Sequence, residues 1–375
     1  MTDPLPSGKT DTPLASGKTD TPLASGKTIG ILGGGQLGRM LSVAASRLGY
    51  KTHIYEPGAS PAGDVAAEVT QAGYDDLDAL RRFADAVDLI SFEFENIPAD
   101  ALDVLSAAKP LYPSRVALET SQDRLTEKTF LADLDLATAP FAPVDSAADL
   151  DAALARIGTP AILKTRRFGY DGKGQARIMT PEDADRALAS LNGAPAILEG
   201  FVDFSMEISV IAARGRDGAI ACYDPGENVH ENGILATTTV PATIPASLRT
   251  DAVLLAARIL TALDYVGVMG VELFVTPSGL IVNEIAPRVH NSGHWTQAGC
   301  AVDQFEQHIR AIAGWPLGDG ARHANVVMEN LIGEDVARAG QAAATPGTQV
   351  HLYGKSEIRA GRKMGHLNRV TGPAT

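Results

Sequence analysis

The chain has 375 residues, enough for two or three domains, and 45% of them are hydrophobic, so most of it is expected to fold. Its two cysteines suit a reducing compartment and exclude both a disulfide framework and a cysteine metal knuckle. The formal net charge of −13 argues against nucleic acid or an anionic membrane as partner. No apolar run is long enough to span a bilayer and no apolar leader opens the chain, so the expected location is the cytoplasm.

Residues 2–27 carry a repeat in which Pro4-Leu5, Pro13-Leu14 and Pro22-Leu23 each lead into Ser-Gly-Lys-Thr. That phrase looks like the end of a phosphate-binding loop. The full motif needs a glycine five positions before the Gly of Gly-Lys, and Thr12 and Thr21 stand there instead. The segment is expected to be a flexible polar extension, with too little apolar content to offset its ordering entropy.

The folded part is expected to begin at Thr28. Ile29, Ile31 and Leu32 make a short strand, Gly33, Gly35 and Gly38 spell G-x-G-x-x-G, and residues 40–48 read as a helix. A second strand, 51–55, ends at Glu56. Another, 87–94, closes on Glu93-Phe94-Glu95-Asn96, and its period of two would put Glu93 and Glu95 on one face. The alternation implies a parallel sheet with crossover helices. Residues 121–134 read as a helix with Ser121 as N-cap, 161–164 and 196–198 as short strands around a glycine-rich turn, and 250–263 as an amphipathic helix. Strands at 266–275 and 280–285 form an antiparallel hairpin around Thr276-Pro277-Ser278-Gly279. From about Asn325 the chain holds short strands and a basic segment, 355–363.

The glycine fingerprint alone points to an NAD-dependent oxidoreductase, with Glu56 where a ribose-binding acid belongs. Its physics is only a tight turn presenting backbone N–H groups at a helix N-terminus. A phosphate, another polar substrate, or a ligand-free strand–helix turn fits it as well.

The hairpin is more demanding. Within one residue of register it sets Glu272 opposite Glu284, both embedded in apolar strand sequence. Like charges across a strand pair are destabilising unless a divalent cation lies between them, or unless each acid pairs with an arginine such as Arg288. The segment Lys164-Thr165-Arg166-Arg167-Phe168-Gly169-Tyr170-Asp171-Gly172-Lys173-Gly174-Gln175 mixes glycines that admit phosphate oxygens with cations that neutralise a transferring phosphoryl group. An Asp-Gly turn inside it suits a mobile lid, although a solvated basic hairpin would look similar. Glu199-Gly200-Phe201-Val202 ends another apolar strand and offers backbone groups to an adenine edge, or is simply a strand end.

In this order the pieces resemble the ATP-grasp superfamily. Ala286-Pro287-Arg288-Val289-His290-Asn291-Ser292-Gly293-His294-Trp295-Thr296 and Gly361-Arg362-Lys363-Met364-Gly365-His366-Leu367-Asn368 join residues 33–40 and 93–96 in resembling, within it, the N5-carboxyaminoimidazole ribonucleotide synthetases. The resemblance spans about 28–368 and leaves out the repeat. Phe168 stands where that family pattern implies a smaller residue.

The resemblance implies an α/β ATP-grasp fold: a flexible extension (1–27), a Rossmann-like parallel-sheet domain (28–118), a small lid domain (119–198), a core domain (199–320) and a strand-rich C-terminal segment (321–375). It implies a homodimer. It also implies ATP-dependent carboxylation of 5-aminoimidazole ribonucleotide by bicarbonate through carboxyphosphate, with Mg²⁺ or Mn²⁺ and with neither NAD nor biotin. Carried over residue by residue, it assigns ATP to Arg124, Lys164, Gly169, Tyr170, Asp171, Gly172, Lys173, Gly174, Gln175, Glu199, Gly200, Phe201, Val202, Glu207, His230, Asn283 and Glu284. The metal falls to Glu272 and Glu284. Gln36, Leu37, Glu93, Asn291, Ser292, Lys355 and Arg362 would meet the ribonucleotide, the last two at its 5′-phosphate. Arg288, Asp171, Lys173 and His290 would serve the chemistry, although a histidine there fits a hydrogen-bonded positioning role equally. The alternatives are a formate-using phosphoribosylglycinamide ligase, which the 288–296 segment weighs against, a biotin carboxylase, the dehydrogenase, and a non-catalytic nucleotide sensor.

Overall fold

The structure, a computed structural model, describes residues 21–169 and 173–374. Three sheets organise it. The first is parallel, from β1 (Thr28–Leu32), β2 (Lys51–Tyr55), β3 (Glu68–Thr70) and β4 (Leu89–Phe92) in the order β3-β2-β1-β4. β1 and β4 are apolar on both faces because helices cover both sides, as a parallel sheet with crossovers requires. The glycine fingerprint sits between β1 and the helix Gln36–Arg47. Gly38 is needed there because a Cβ would come within 2.7 Å of the Gly33 carbonyl.

The second sheet is antiparallel: β5 (Phe141–Val144), β6 (Ala161–Thr165), β7 (Gln175–Ile178) and β8 (Ala196–Gly200), in the order β5-β8-β6-β7. Helices Ala147–Ile157 and Ala184–Ser190 cover one face of it with Leu150, Ala153, Ala184 and Ala187.

The third sheet has nine strands: β9 (Met206–Arg214), β10 (Ile220–Cys222), β11 (Gly226–Glu231), β12 (Ile234–Val240), β13 (Gly267–Thr276), β14 (Gly279–Ala286), β15 (Ala324–Ile332), β16 (Thr348–Leu352) and β17 (Lys363–Pro373). Helix Ala246–Ala262 covers one face and helix Gln304–Ala313 the other. The latter helix is buried almost all round, because it also packs on Gln36–Arg47 and so joins the first sheet to the third in one core. The C-terminal strands are longer than their sequence suggests and continue this sheet through β12–β15 pairing.

Three expectations change. Residues 121–134 form no single helix. Arg115–Gln122 and Arg124–Asp133 are two helices meeting at an extended Asp123, whose carboxylate accepts from the amides of Leu125 and Thr126. Asp123 is therefore the cap, and Ser121 lies inside the first helix, donating to the Leu118 carbonyl. The extension expected at 1–27 lies outside the described residues as far as Asp20, but beyond it the chain is tied down: the Leu23 amide donates to the Ala313 carbonyl at 2.8 Å, its carbonyl accepts from the Tyr50 hydroxyl, and its side chain packs on the core. Finally, β4 stops at Phe92, so Glu93 and Glu95 lie beyond it and share no strand face.

Candidate active site

The site lies where the hairpin β13–β14 faces the second sheet and the glycine turn. The hairpin turns on Pro277-Ser278, with Thr276 opposite Gly279 and Leu273 opposite Val282. Continued regularly, that register would pair Glu272 with Asn283 and send Glu284 to the other face. A bulge at Asn283 intervenes, and Glu272 pairs with Glu284. Both carboxylates thus share a face in an enclosed site. Burial, then the Glu284 charge, push Glu272 well above the usual carboxylate range. Glu284 is held down at about 2, against its burial, chiefly by Arg124 and then Lys164.

The arginine partners are not those expected. Arg124 Nη1 reaches Glu284 Oε2 at 3.1 Å, while Arg288 Nε pairs with Glu95 Oε1 at 2.8 Å. Glu272 receives only the Asn283 amide at 3.5 Å and faces His290 Nε2 at 3.5 Å. Burial and the Glu284 charge outweigh the Arg288 charge at Glu272, which fits a divalent metal between the two acids. A second arrangement, Glu207, His230 and Glu272, brings one ligand atom of each within 4.8 Å of one another. Mg²⁺ prefers an all-oxygen set, so the facing acids suit it better than the trio with its imidazole.

Lys164, on β6, donates to Glu199 Oε2 at 2.8 Å across the second sheet. Glu199 is 3% exposed and points at this lysine, so any adenine contact belongs to the backbone of 199–202. Phe201 and Phe204 are exposed beside it. His230 Nδ1 lies 3.2 Å from Glu207 Oε2. In the lid segment, Gly169 lies beside the Arg124 guanidinium and Lys173, Gly174 and Gln175 are exposed. Tyr170, Asp171 and Gly172 lie outside the described residues. Phe168 adopts φ +63°, the left-handed region that favours glycine, which explains why a smaller residue is expected there.

On the ribonucleotide side the glycine turn is already engaged. The Gly34 amide donates to Glu56 at 2.7 Å and the Gly35 amide to Glu93 at 2.6 Å. A pyrophosphate would have to displace two carboxylates there, which argues against the dinucleotide reading. Burial raises Glu93 above the usual carboxylate range, against the Gly35 amide and the charges of Arg288 and Lys355. Gln36 is half-buried at the turn, whereas the Leu37 side chain is in the core, so only its backbone can meet a substrate. Lys355 donates to the Lys363 carbonyl; Arg362 donates to the Glu357 carbonyl on its own exposed loop.

Two expected substrate contacts are otherwise occupied. Ser292 is fully buried, with its hydroxyl bonded to Ser209 Oγ and His290 Nδ1. Asn291 exchanges two amide hydrogen bonds with Asn330. Both brace the loop. Burial, then Arg288, lower His290 to about 3, so its imidazole is neutral at physiological pH and suits a positioning role better than that of a base.

Glu127 and Lys128 escaped the reading of the sequence. Both are buried beside the hairpin and contact its backbone. Arg124, Glu127, Lys128 and Leu131 stand at i, i+3, i+4 and i+7, one helix face, and three charges sharing a face with a core leucine was the signal available.

A small antiparallel lid sheet facing a large sheet with paired acids defines an ATP-grasp enzyme, and an ATP-grasp domain model matches residues 129–305. A ribonucleotide synthetase preATP-grasp domain matches 26–122, and a phosphoribosylaminoimidazole carboxylase C-terminal domain matches 326–373. The chain is 54% identical over 346 residues to the N5-carboxyaminoimidazole ribonucleotide synthase of Brucella melitensis, covering 91% of this chain and 96% of that protein. It superposes on the Thermus thermophilus synthetase with a TM-score of 0.86 and 46% identity, over 91% of this chain and 93% of that one. It also superposes on the Aspergillus clavatus enzyme in complex with ADP and 5-aminoimidazole ribonucleotide, with a TM-score of 0.87 and 30% identity over 93% and 94% of the two chains. The chain belongs to the N5-carboxyaminoimidazole ribonucleotide synthase family of ATP-dependent ligases.

Proposed function

We propose that the chain joins bicarbonate to the exocyclic amine of 5-aminoimidazole ribonucleotide with cleavage of ATP, supplying N5-carboxyaminoimidazole ribonucleotide for purine nucleotide synthesis. The observation that carries this is Arg288. It leaves the hairpin end that bears Glu284 and pairs with Glu95 beside the glycine turn, so a phosphoryl group held at the hairpin and a ribonucleotide held at the turn would share one arginine.

In this reading Lys164 and Arg124, each now paired with a carboxylate, turn to the ATP phosphates, and the 169–175 segment covers them. Glu272 and Glu284 would hold Mg²⁺ or Mn²⁺, which supplies neutralising charge to the transferring phosphoryl group. A bicarbonate oxygen attacks the γ-phosphorus and ADP leaves. The amine nitrogen then attacks the carbonyl carbon of carboxyphosphate, losing a proton as inorganic phosphate departs. Arg288 stabilises the carboxyphosphate anion, with Glu95 fixing its guanidinium. Lys355 and Arg362 close on the 5′-phosphate.

Turnover with ¹⁸O-labelled bicarbonate tests the route. The released phosphate should carry one oxygen from bicarbonate. Unlabelled phosphate would contradict the carboxyphosphate step.

A further inference from the structure

The bulge at Asn283 leaves adjacent backbone groups of β14 on the outer edge of the sheet, where other elements cover them and unpaired carbonyls are costly. The Val282 amide is taken by the Ala137 carbonyl at 2.8 Å. The rest are met by two neighbouring side chains of one helix, Arg124–Asp133. Lys128, 1% exposed, donates to the Asn283 carbonyl at 2.6 Å and to the Val282 carbonyl at 3.3 Å. Glu127, 2% exposed, accepts from the Ile285 amide at 2.6 Å. An acceptor and a donor thus grip the strand on either side of Glu284. Without these two side chains the Asn283 carbonyl and the Ile285 amide would lose the partners they have here.

We infer that Glu127 and Lys128 are positioning residues. By holding the Asn283 bulge they keep Glu284 on the same face as Glu272, and so they set the divalent-cation and γ-phosphate site without touching either ligand. This rests on the reading of Glu272 and Glu284 as metal carboxylates. Lys128 also lies 3.9 Å from Glu199 Oε2, the partner of Lys164, so the same ammonium ties the hairpin to the second sheet. Burying a cation there is intelligible only if its partners are fixed in place, as three carbonyl and carboxylate oxygens around one ammonium are.

The test is Mn²⁺ binding to the intact protein with ADP, read by the electron spin resonance signal of free Mn²⁺, beside kinetics and thermal melting. Lys128→Met should weaken Mn²⁺ by about 10- to 100-fold and lower kcat, with the KM for the ribonucleotide unchanged, as loss of a partner that orients metal ligands does. Glu127→Gln keeps an acceptor oxygen for the Ile285 amide and should bind Mn²⁺ nearly as the parent does, while Glu127→Leu should not. If Lys128→Met and Glu127→Leu melt lower yet bind Mn²⁺ like the parent, the two residues serve stability alone and the inference is wrong. Should Lys128→Met not fold, the Glu127 pair decides by the same readout. A parent that binds no Mn²⁺ overturns the metal reading itself, a different result from a parent and variants that bind equally.

Discussion

Two pairs of carboxylates in this molecule are placed alike and held differently. At the glycine turn, Glu56 and Glu93 accept from the amides of Gly34 and Gly35. At the hairpin, Glu272 and Glu284 face each other across paired strands, and among the described residues Glu284 pairs with the Arg124 guanidinium. Backbone N–H groups leave the first pair satisfied with no further ligand. In the second pair Arg124 answers Glu284, while burial outweighs the Arg288 charge at Glu272, and the proposed reading sets a divalent cation and a phosphoryl group there. Paired glutamates therefore organise a turn in one place and, in the proposed reading, hold a cation in the other.

Glu284→Gln should break the hairpin side. Losing one charged partner of the transferring phosphoryl group is expected to cost about 3 kcal/mol of transition-state stabilisation, roughly 100-fold in rate, with little change in melting temperature. A near-normal kcat at ordinary Mg²⁺ would refute it, and a large drop in melting temperature with activity retained would make Glu284 a structural acid. Arg362→Ala should sharpen the turn side. The KM for the ribonucleotide should rise about ten-fold with the KM for ATP unchanged, since a charge-assisted phosphate contact is lost. An unchanged KM would leave Arg362 as the loop residue its bond to the Glu357 carbonyl suggests.

A smaller effect depends on pH. Burial raises Glu127 to about 8 from its ordinary 4.5, so its contribution is full below 4.5 and is lost as pH climbs toward 8. Glu127→Gln, neutral throughout, should flatten the dependence of melting temperature on pH across that window. An unchanged slope would contradict the burial-driven shift. The smallest effect concerns the extension. Removing residues 2–20 should leave melting unchanged, whereas Leu23→Ala should cost about 1 kcal/mol of lost burial. Equal stability of the two variants would show that Leu23 contributes nothing.

The facing acids were legible because a hairpin has only two registers to choose from and Thr276–Gly279 marks its turn. What selects between those registers, the bulge at Asn283, was not legible, because its cause lies in Glu127 and Lys128, which reach it from another element. The glycine fingerprint was visible as a turn but ambiguous as a site, since only the folded chain shows Glu56 and Glu93 occupying its amides. Periodicity misplaced Glu93 and Glu95, because β4 ends sooner than its apolar run, and composition missed Leu23, an anchoring side chain in a polar repeat.

The most direct test of the account is ADP release with 5-aminoimidazole ribonucleotide and bicarbonate, set against glycinamide ribonucleotide and formate. ATP cleavage should require the first pair together and be absent with the second. Equal turnover with formate and glycinamide ribonucleotide, or ATP cleavage indifferent to bicarbonate, would contradict it.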